Sequence, residues 1–287
     1  MASYHVRSNS LPSRPHPIIH EFEGKLNQLR ASEAASSSSA STSISCKLSG
    51  LQDLHDCVDR LLLLPLNQQA FSQENHEKYF NQILDSSLRI LDVCNIAKYA
   101  LLQTKESTHE LQSTIRRKRG GKIELSNEVR KFLTSRKVVK KAIQRTIGDL
   151  KGIESGCTFS PLNKDNETVT MLRKVQAATL AVFGSLLSFI SGPKSQSKPN
   201  GWSFISSIMR STRIDEESHL NEFARAESAL KSLINQNMKK SDNLNLEDAQ
   251  NQLEALELCI QDLEEGLESL FRQMIKIRVS LLNIFNH

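Results

Sequence analysis

The residues best suited to acid–base chemistry are grouped in one short stretch. His55 and Asp56 precede Cys57, with Asp53 and Asp59 on either side. In a helix His55 and Asp59 share a face, so the carboxylate could orient the imidazole as a general base. Solvated acids beside a half-buried cysteine would give the same pattern, and we favour that structural interpretation. Nucleotide-binding loops, nucleophile elbows and H-E-x-x-H are absent from the sequence, so we expect no enzyme, cofactor or metal site.

A short motif near the N-terminus has the chemistry of a modification site. Arg7, Ser8, Ser10 and Pro12 form the pattern R-S-x-S-x-P in a Ser- and Pro-rich stretch. Phosphorylation of Ser10 would add about two negative charges, giving the kind of ligand that the Arg-lined groove of a 14-3-3 protein binds. We predict a phosphosite and a 14-3-3 contact here, and a chance match in a Ser-rich tail is the alternative.

A basic cluster is the second candidate site, and it consists of Arg116, Arg117, Lys118, Arg119 and Lys122. It suits an anionic partner or a nuclear-import receptor. The alternative is a solvated helix end whose cations complement the helix dipole. No aromatic residue lies between Tyr99 and Phe132, so the segment lacks a stacking platform and we expect no nucleic-acid binding.

An uncharged stretch at 175–193 approaches the length of a membrane span. Basic residues flank it on both sides, and several Ser, Thr, Gln and Gly residues dilute it. We predict a buried bundle helix, with a marginal span or a peripheral membrane contact as the alternative.

The elements that must position these residues are helices. Apolar residues recur at three- and four-residue spacings in 51–65, 80–115, 129–150, 172–189 and 246–284, with shorter helices expected at Trp202–Ser211 and Asp215–Met238. Gly192-Pro193 should end the fourth run. The last run follows heptads, and five further apolar residues widen its stripe: Phe271, Ile275, Val279, Leu282 and Phe285. We therefore predict an all-α, elongated multi-helix bundle with a long C-terminal heptad-patterned helix, rather than a separate coiled-coil dimer.

Residues 1–45 differ in composition from the rest. They are rich in Ser and Pro, which predicts a disordered arm with one short helix around Ile18–Leu29, followed by a helical bundle domain at 46–287. Residues 1–20 contain arginines but no acid, so a transit peptide is an open alternative, although Glu21 and Glu23 follow at once. Five cysteines without a CxxC pair indicate reduced thiols and an intracellular, most simply cytoplasmic, location. Nuclear, membrane-associated and organellar locations stay open.

The net charge conceals a segregation. The chain of 287 residues has 37 Lys and Arg against 32 Asp and Glu, a net charge of +5. Residues 116–151 contain 13 basic and 3 acidic residues, a net of +10, whereas 242–268 contain 9 acids and no base. One hypothesis docks these two blocks as neighbouring helices of the bundle.

A set of collinear segments resembles the plant family of BYPASS-related proteins. They lie at 5–17, 50–59, 84–94, 110–113 with 116–121, 128–131 and 278–284, and together they span nearly the whole chain. The resemblance implies a land-plant protein connected with root and shoot development, and it implies no established catalytic activity or cofactor.

These observations together predict a non-enzymatic helical interaction or regulatory protein with protein partners, phospho-regulated through its N-terminal arm. Two alternatives stay open. One is an enzyme or small-molecule handler in a developmental signalling pathway, and the other is a peripheral or single-span membrane protein. The oligomeric state is not determined by the sequence.

Overall fold

The computed structural model describes residues 16–34, 40–65, 77–117, 122–156, 167–192, 220–235 and 242–285. These ranges form helices and no strand, namely α1 Pro17–Ala34, α2 Ala40–Leu62, α3 Glu77–Arg117, α4 Lys122–Gly156, α5 Glu167–Ser191, α6 Glu222–Asn235 and α7 Asp242–Phe285. The predicted all-α class is confirmed. The helix predicted at Trp202–Ser211 lies outside the described residues, and α6 is the described part of the one predicted at Asp215–Met238.

The longest helix, α7, has 44 residues, which corresponds to a length of about 66 Å. It packs against α2, α3 and α6. Its heptad residues form the seam, and Leu253, Leu256, Ile260, Leu263 and Leu267 are fully buried there. Because helices of the same chain cover this seam, the heptad pattern belongs to an intramolecular bundle, as predicted.

Two residues expected to widen that seam do not do so. Ile275 is 40% exposed and Val279 is 50% exposed. The seam at this level is made by Met274 and Ile277, both buried, and residues one and two positions further along a helix point well away from it. The outer side of α7 therefore keeps apolar side chains in contact with solvent.

The helical body begins earlier than the predicted arm–bundle boundary. Residues 1–15 and 35–39 lie outside the described residues, but α1 is longer than the short helix expected and packs against α2. Phe22, Leu26 and Leu29 recur at helical spacing and are buried, so they gain by covering α2. Gly50 allows this close approach, since a Cβ at that position would lie 3.3 Å from Leu29 Cδ1.

The end of α5 follows the predicted stop signal. Gly192 has φ of +73°, and its N–H donates to the carbonyl of Ser188 at 3.1 Å. Such a left-handed residue favours glycine and closes the helix. Thr168–Ser191 is long and apolar enough to cross a membrane, and 56% of its most apolar window is buried inside the bundle. Val182, Phe183 and Leu186 have no exposed surface at all.

Candidate interaction site at the end of α3

The predicted site residues are divided between described and undescribed parts of the chain. Arg116 and Arg117 form the last turn of α3 and are exposed. Lys122 is the first residue of α4. Lys118 and Arg119 lie outside the described residues, as do the four motif residues of the N-terminal arm, Arg7, Ser8, Ser10 and Pro12.

The two arginines border an open cleft of about 420 Å³. Its wall is formed by His109, Gln112, Ser113, Arg116 and Arg117 of α3 and by Glu257 of α7. The α3 residues recur every three to four positions, from 109 to 112 and 113 and then to 116 and 117, so helix geometry places them along one side of its final turns. We call this the α3-end cleft.

A hydrogen-bonded histidine and glutamate join the two sides of the cleft. His109 Nε2 lies 2.8 Å from Glu257 Oε1. Hydrogen bonding from His109 lowers the pKa of Glu257 below its usual value, against the opposite effect of burial. Glu257 is thus a fixed carboxylate that holds the imidazole in place, and His109 remains about half exposed toward the cleft.

The side-chain amide of Gln112 is a further hydrogen-bond donor at the cleft. The side chain is buried and lies close enough to Glu257 to help lower the pKa of that carboxylate, but Nε2 completes no hydrogen bond of good geometry within the described part of the chain. A buried amide donor with an incomplete hydrogen bond is costly. A ligand oxygen or an ordered water in the cleft would satisfy it.

The acidic block pairs with α3, and this corrects the hypothesis that it docks on the basic block. Lys98 Nζ lies 2.5 Å from Glu268 Oε2, and Lys105 Nζ lies 2.5 Å from Glu264 Oε2. Chiefly through its hydrogen bond, Lys98 lowers the pKa of Glu268. The basic helix α4 packs instead against α3 and α5, because its apolar stripe faces those helices and most of its cations face outward.

One arginine of the basic block is not on the surface at all. Arg136 is 1% exposed and donates to Glu227 Oε1 at 3.1 Å, to Thr104 Oγ1 at 3.1 Å and to the carbonyl of Ile190 at 2.6 Å. Burial lowers its pKa, and Glu227 opposes that effect. Its guanidinium also lies 4.9 Å from the centre of the Phe223 ring. Arg136 therefore joins α3, α4, α5 and α6.

Charge alone does not distinguish Arg136 from its basic neighbours. Its spacing does carry a signal, because Phe132, Arg136, Val139 and Ile143 recur at intervals of four, three and four. This spacing places all four residues on the side of α4 that faces the core. A cation at such a position must be buried together with a partner.

The acid–base candidates around Cys57 do not converge on one another. His55 Nε2 pairs with Thr179 Oγ1 at 3.0 Å, and burial lowers the pKa of His55 to about 4. Asp59 pairs with Lys276 at 2.8 Å, and Cys57 accepts from Arg60 at 3.3 Å. His55 thus contacts α5, Asp59 contacts α7 and Cys57 bonds within α2. Within the described ranges, no three His, Cys, Asp or Glu residues are placed to hold a metal ion.

These features define an all-helical bundle whose candidate site is a polar surface cleft. The protein-family model described as Protein BPS1 matches residues 47–284, and the chain belongs to this family. The resemblance to the BYPASS-related proteins is thereby confirmed. Membership identifies a plant protein and suggests a role in development. No curated protein and no solved structure matches the chain.

Proposed function

We propose that this protein is a non-enzymatic regulator of plant development that works by binding other proteins, and that the α3-end cleft receives an acidic or phosphorylated segment of a partner. The observation that carries the proposal is the convergence of Arg116, Arg117, His109 and the Gln112 amide on one open cleft. All of these groups can donate to an anionic oxygen.

The electrostatics of the cleft favour an anion. Neither Arg116 nor Arg117 has an ion pair within the described residues, so both guanidinium groups can bind a ligand. A guanidinium matches a carboxylate or phosphate with two parallel hydrogen bonds. Among the described residues of the cleft wall Glu257 is the only acid, and it already interacts with His109 and Arg116. The site therefore retains an excess of positive charge.

The N-terminal motif is a poor candidate for the ligand of this cleft. The start of α1 is anchored near the end of α2 by Arg60 and Glu21, 2.7 Å apart, and α2 in turn meets α7 at Lys276 through Asp59. Lys276 lies about 28 Å along α7 from Glu257. The seven residues from Ser10 to Pro17 reach at most about 25 Å, so we assign the arm to a different partner.

For the arm, we propose binding of a 14-3-3 protein to phosphorylated Ser10, with Arg7 and Pro12 as specificity residues. The test is a titration of a 14-3-3 protein with peptides of residues 1–20. The phosphorylated peptide should bind, and its Arg7→Ala and Pro12→Ala forms should bind more weakly. Equal binding of all peptides would refute this assignment.

The cleft is tested by purification of complexes from plant tissue with and without phosphatase. Arg116→Glu/Arg117→Glu should lose partners that the unchanged protein retains. The matched control is Arg30→Glu/Arg89→Glu, which changes the net charge equally at exposed positions on α1 and α3. Identical partner sets for both variants would contradict the proposal. Retention of the same partners after phosphatase treatment would assign the cleft to acidic rather than phosphorylated segments.

We also propose a cytoplasmic location with α5 inside the bundle. This proposal is supported by the burial of Val182, Phe183, Leu186 and Ile190. Fractionation of plant cells tests it. Recovery of the protein in membranes after a salt wash would favour the membrane alternative instead.

A further inference from the structure

The outward side of α4 carries a line of unpaired cations. Arg130, Lys137, Lys141 and Arg145 are all exposed, and none of them has an ion pair within the described ranges. Their spacing of seven, four and four residues keeps them on one side of the helix, over about 22 Å. Val138 lies midway and is 66% exposed. We call these five residues the basic face.

The outward side of α7 carries a similar line of acids. Its members are Glu247, Asp248, Glu254, Asp262 and Glu265, with Leu258 among them. All are exposed, and Leu258 is 65% exposed. The acids span about 27 Å of helix, and no Lys or Arg occurs between 242 and 268. We call these six residues the acidic face.

The acidic face is distinct from the acids that α3 uses. Glu257, Glu264 and Glu268 lie on the side of α7 turned toward α3 and pair with His109, Lys105 and Lys98. The five acids of the acidic face make no ion pair within the described part of the chain. Their charge is therefore not neutralised by the bundle.

The basic and acidic faces match each other but do not pack together within one chain. α4 packs mainly on α3 and α5, and α7 packs on α2, α3 and α6. The faces are of similar length and opposite charge, and each has one exposed apolar side chain near its middle. We propose that the basic face of one copy docks on the acidic face of a second copy of this chain.

The expected association is weak and sensitive to salt. Solvent-exposed charges set the orientation and rate of encounter more than they add affinity, and salt screens them. Val138 and Leu258 provide only a small apolar centre. The contact joins two different surfaces. Two copies can therefore form a closed dimer with two such contacts, or many copies can form an open-ended filament. This inference uses neither Arg116 nor Arg117 and is independent of the proposed function.

The test is sedimentation velocity of the full chain over a range of concentrations at low and high ionic strength. The unchanged protein should associate at low ionic strength and dissociate at high ionic strength. Lys137→Glu/Lys141→Glu and Glu254→Lys/Asp262→Lys should each remain monomeric, because the first lowers the net charge of the basic face from +4 to 0 and the second reduces that of the acidic face from −5 to −1. Matched controls with the same charge changes at exposed positions are Arg30→Glu/Arg89→Glu and Asp85→Lys/Asp92→Lys, and both should associate normally.

A mixture of the two reversed variants gives the decisive result. The unchanged acidic face of one variant then meets the unchanged basic face of the other, so the mixture should associate although each variant alone does not. Circular dichroism checks that both variants are folded. A monomeric unchanged protein, association that persists at high ionic strength, or a mixture that stays monomeric would overturn the proposal. Monomeric protein that binds phosphatidylserine vesicles through Lys137 and Lys141 would assign the basic face to a membrane and overturn it equally.

Discussion

Arg136 donates a hydrogen bond of 2.6 Å from Nη2 to the carbonyl oxygen of Ile190, at the end of α5. The last carbonyls of a helix have no partner within the helix, and this cation satisfies one of them inside the core. Asn221 satisfies the neighbouring carbonyl of Phe189 at 2.6 Å and caps α6 by accepting from the N–H of Ala224 at 2.9 Å. Polar groups thus join the end of α5 to the start of α6.

Arg136→Met should destabilise the protein by about 3–5 kcal/mol, because it leaves Glu227 buried without its main partner. Lys140 also contacts Glu227, at 2.7 Å, and compensates only in part. Urea unfolding followed by circular dichroism measures the change. The control Arg89→Met, at an exposed position of α3, should stay within about 0.5 kcal/mol. Equal stability of the two variants would show that the buried network contributes little.

The helices could be predicted from the sequence because their signals are local. The heptads of α7 and the stop at Gly192 each depend on residues within a few positions of one another. α1 was only partly predicted, since its apolar residues are few and its neighbours are rich in Ser. Its burial depends on α2, which the local composition does not reveal.

The candidate site was predicted only in part, for a related reason. The arginines at the end of α3 were identified by their charge. The pairing of His109 with Glu257 joins residues 148 positions apart, so it depends on how α3 and α7 are aligned. The docking of the two charge blocks on each other was predicted wrongly for the same reason. The net charge of a segment does not show which side of its helix carries the charges, and the acids of α7 that form ion pairs with lysines face α3.

His55 should make stability depend on pH between about 4 and 6.5. Burial lowers its pKa in the folded state to about 4, whereas the unfolded chain takes up the proton near pH 6.5. The unfolded state therefore binds more protons in this window, and stability falls as the pH falls. From pH 6.5 to pH 5 the loss should be about 2 kcal/mol.

Urea unfolding at both pH values tests this expectation in the unchanged protein and in His55→Asn. The variant should lose the pH dependence that His55 contributes, while His20→Asn, at an exposed position of α1, should retain it. A pH dependence that is identical in all three proteins would contradict the assignment to His55.

The pair of Asp59 and Lys276 predicts that removing the exposed lysine alone lowers stability more than neutralising both partners. The Asp59 side chain is 6% exposed, while that of Lys276 is 63% exposed. Lys276→Met leaves a buried carboxylate with only a weak contact to Ser280 at 3.4 Å, so it should lower the free energy of unfolding. Adding Asp59→Asn to that variant should recover part of the loss, because a neutral amide needs no counter-ion.

The comparison for this pair is Arg272→Met. Arg272 pairs with Glu268, one turn away on the same helix, at 3.0 Å. Its side chain is 76% exposed. Exposed pairs contribute about 0–1 kcal/mol. If Lys276→Met lowered the free energy of unfolding no more than Arg272→Met does, the buried carboxylate of Asp59 would not need Lys276 as its counter-ion.

Two glycines within helices should respond to alanine in opposite directions. A Cβ at Gly266 would lie 3.2 Å from Leu48 Cδ1 and 3.6 Å from Leu48 Cβ, and Leu48 is 1% exposed and cannot move aside easily. Gly266→Ala should therefore destabilise the contact between α2 and α7 by about 1 kcal/mol, since overpacking exceeds the gain in helix propensity. A Cβ at Gly148 meets nothing within 4 Å, so Gly148→Ala should stabilise α4 by about 0.5–1 kcal/mol. Thermal melts of the two variants measure both effects, and stabilisation by Gly266→Ala would show that α2 and α7 can separate slightly without cost.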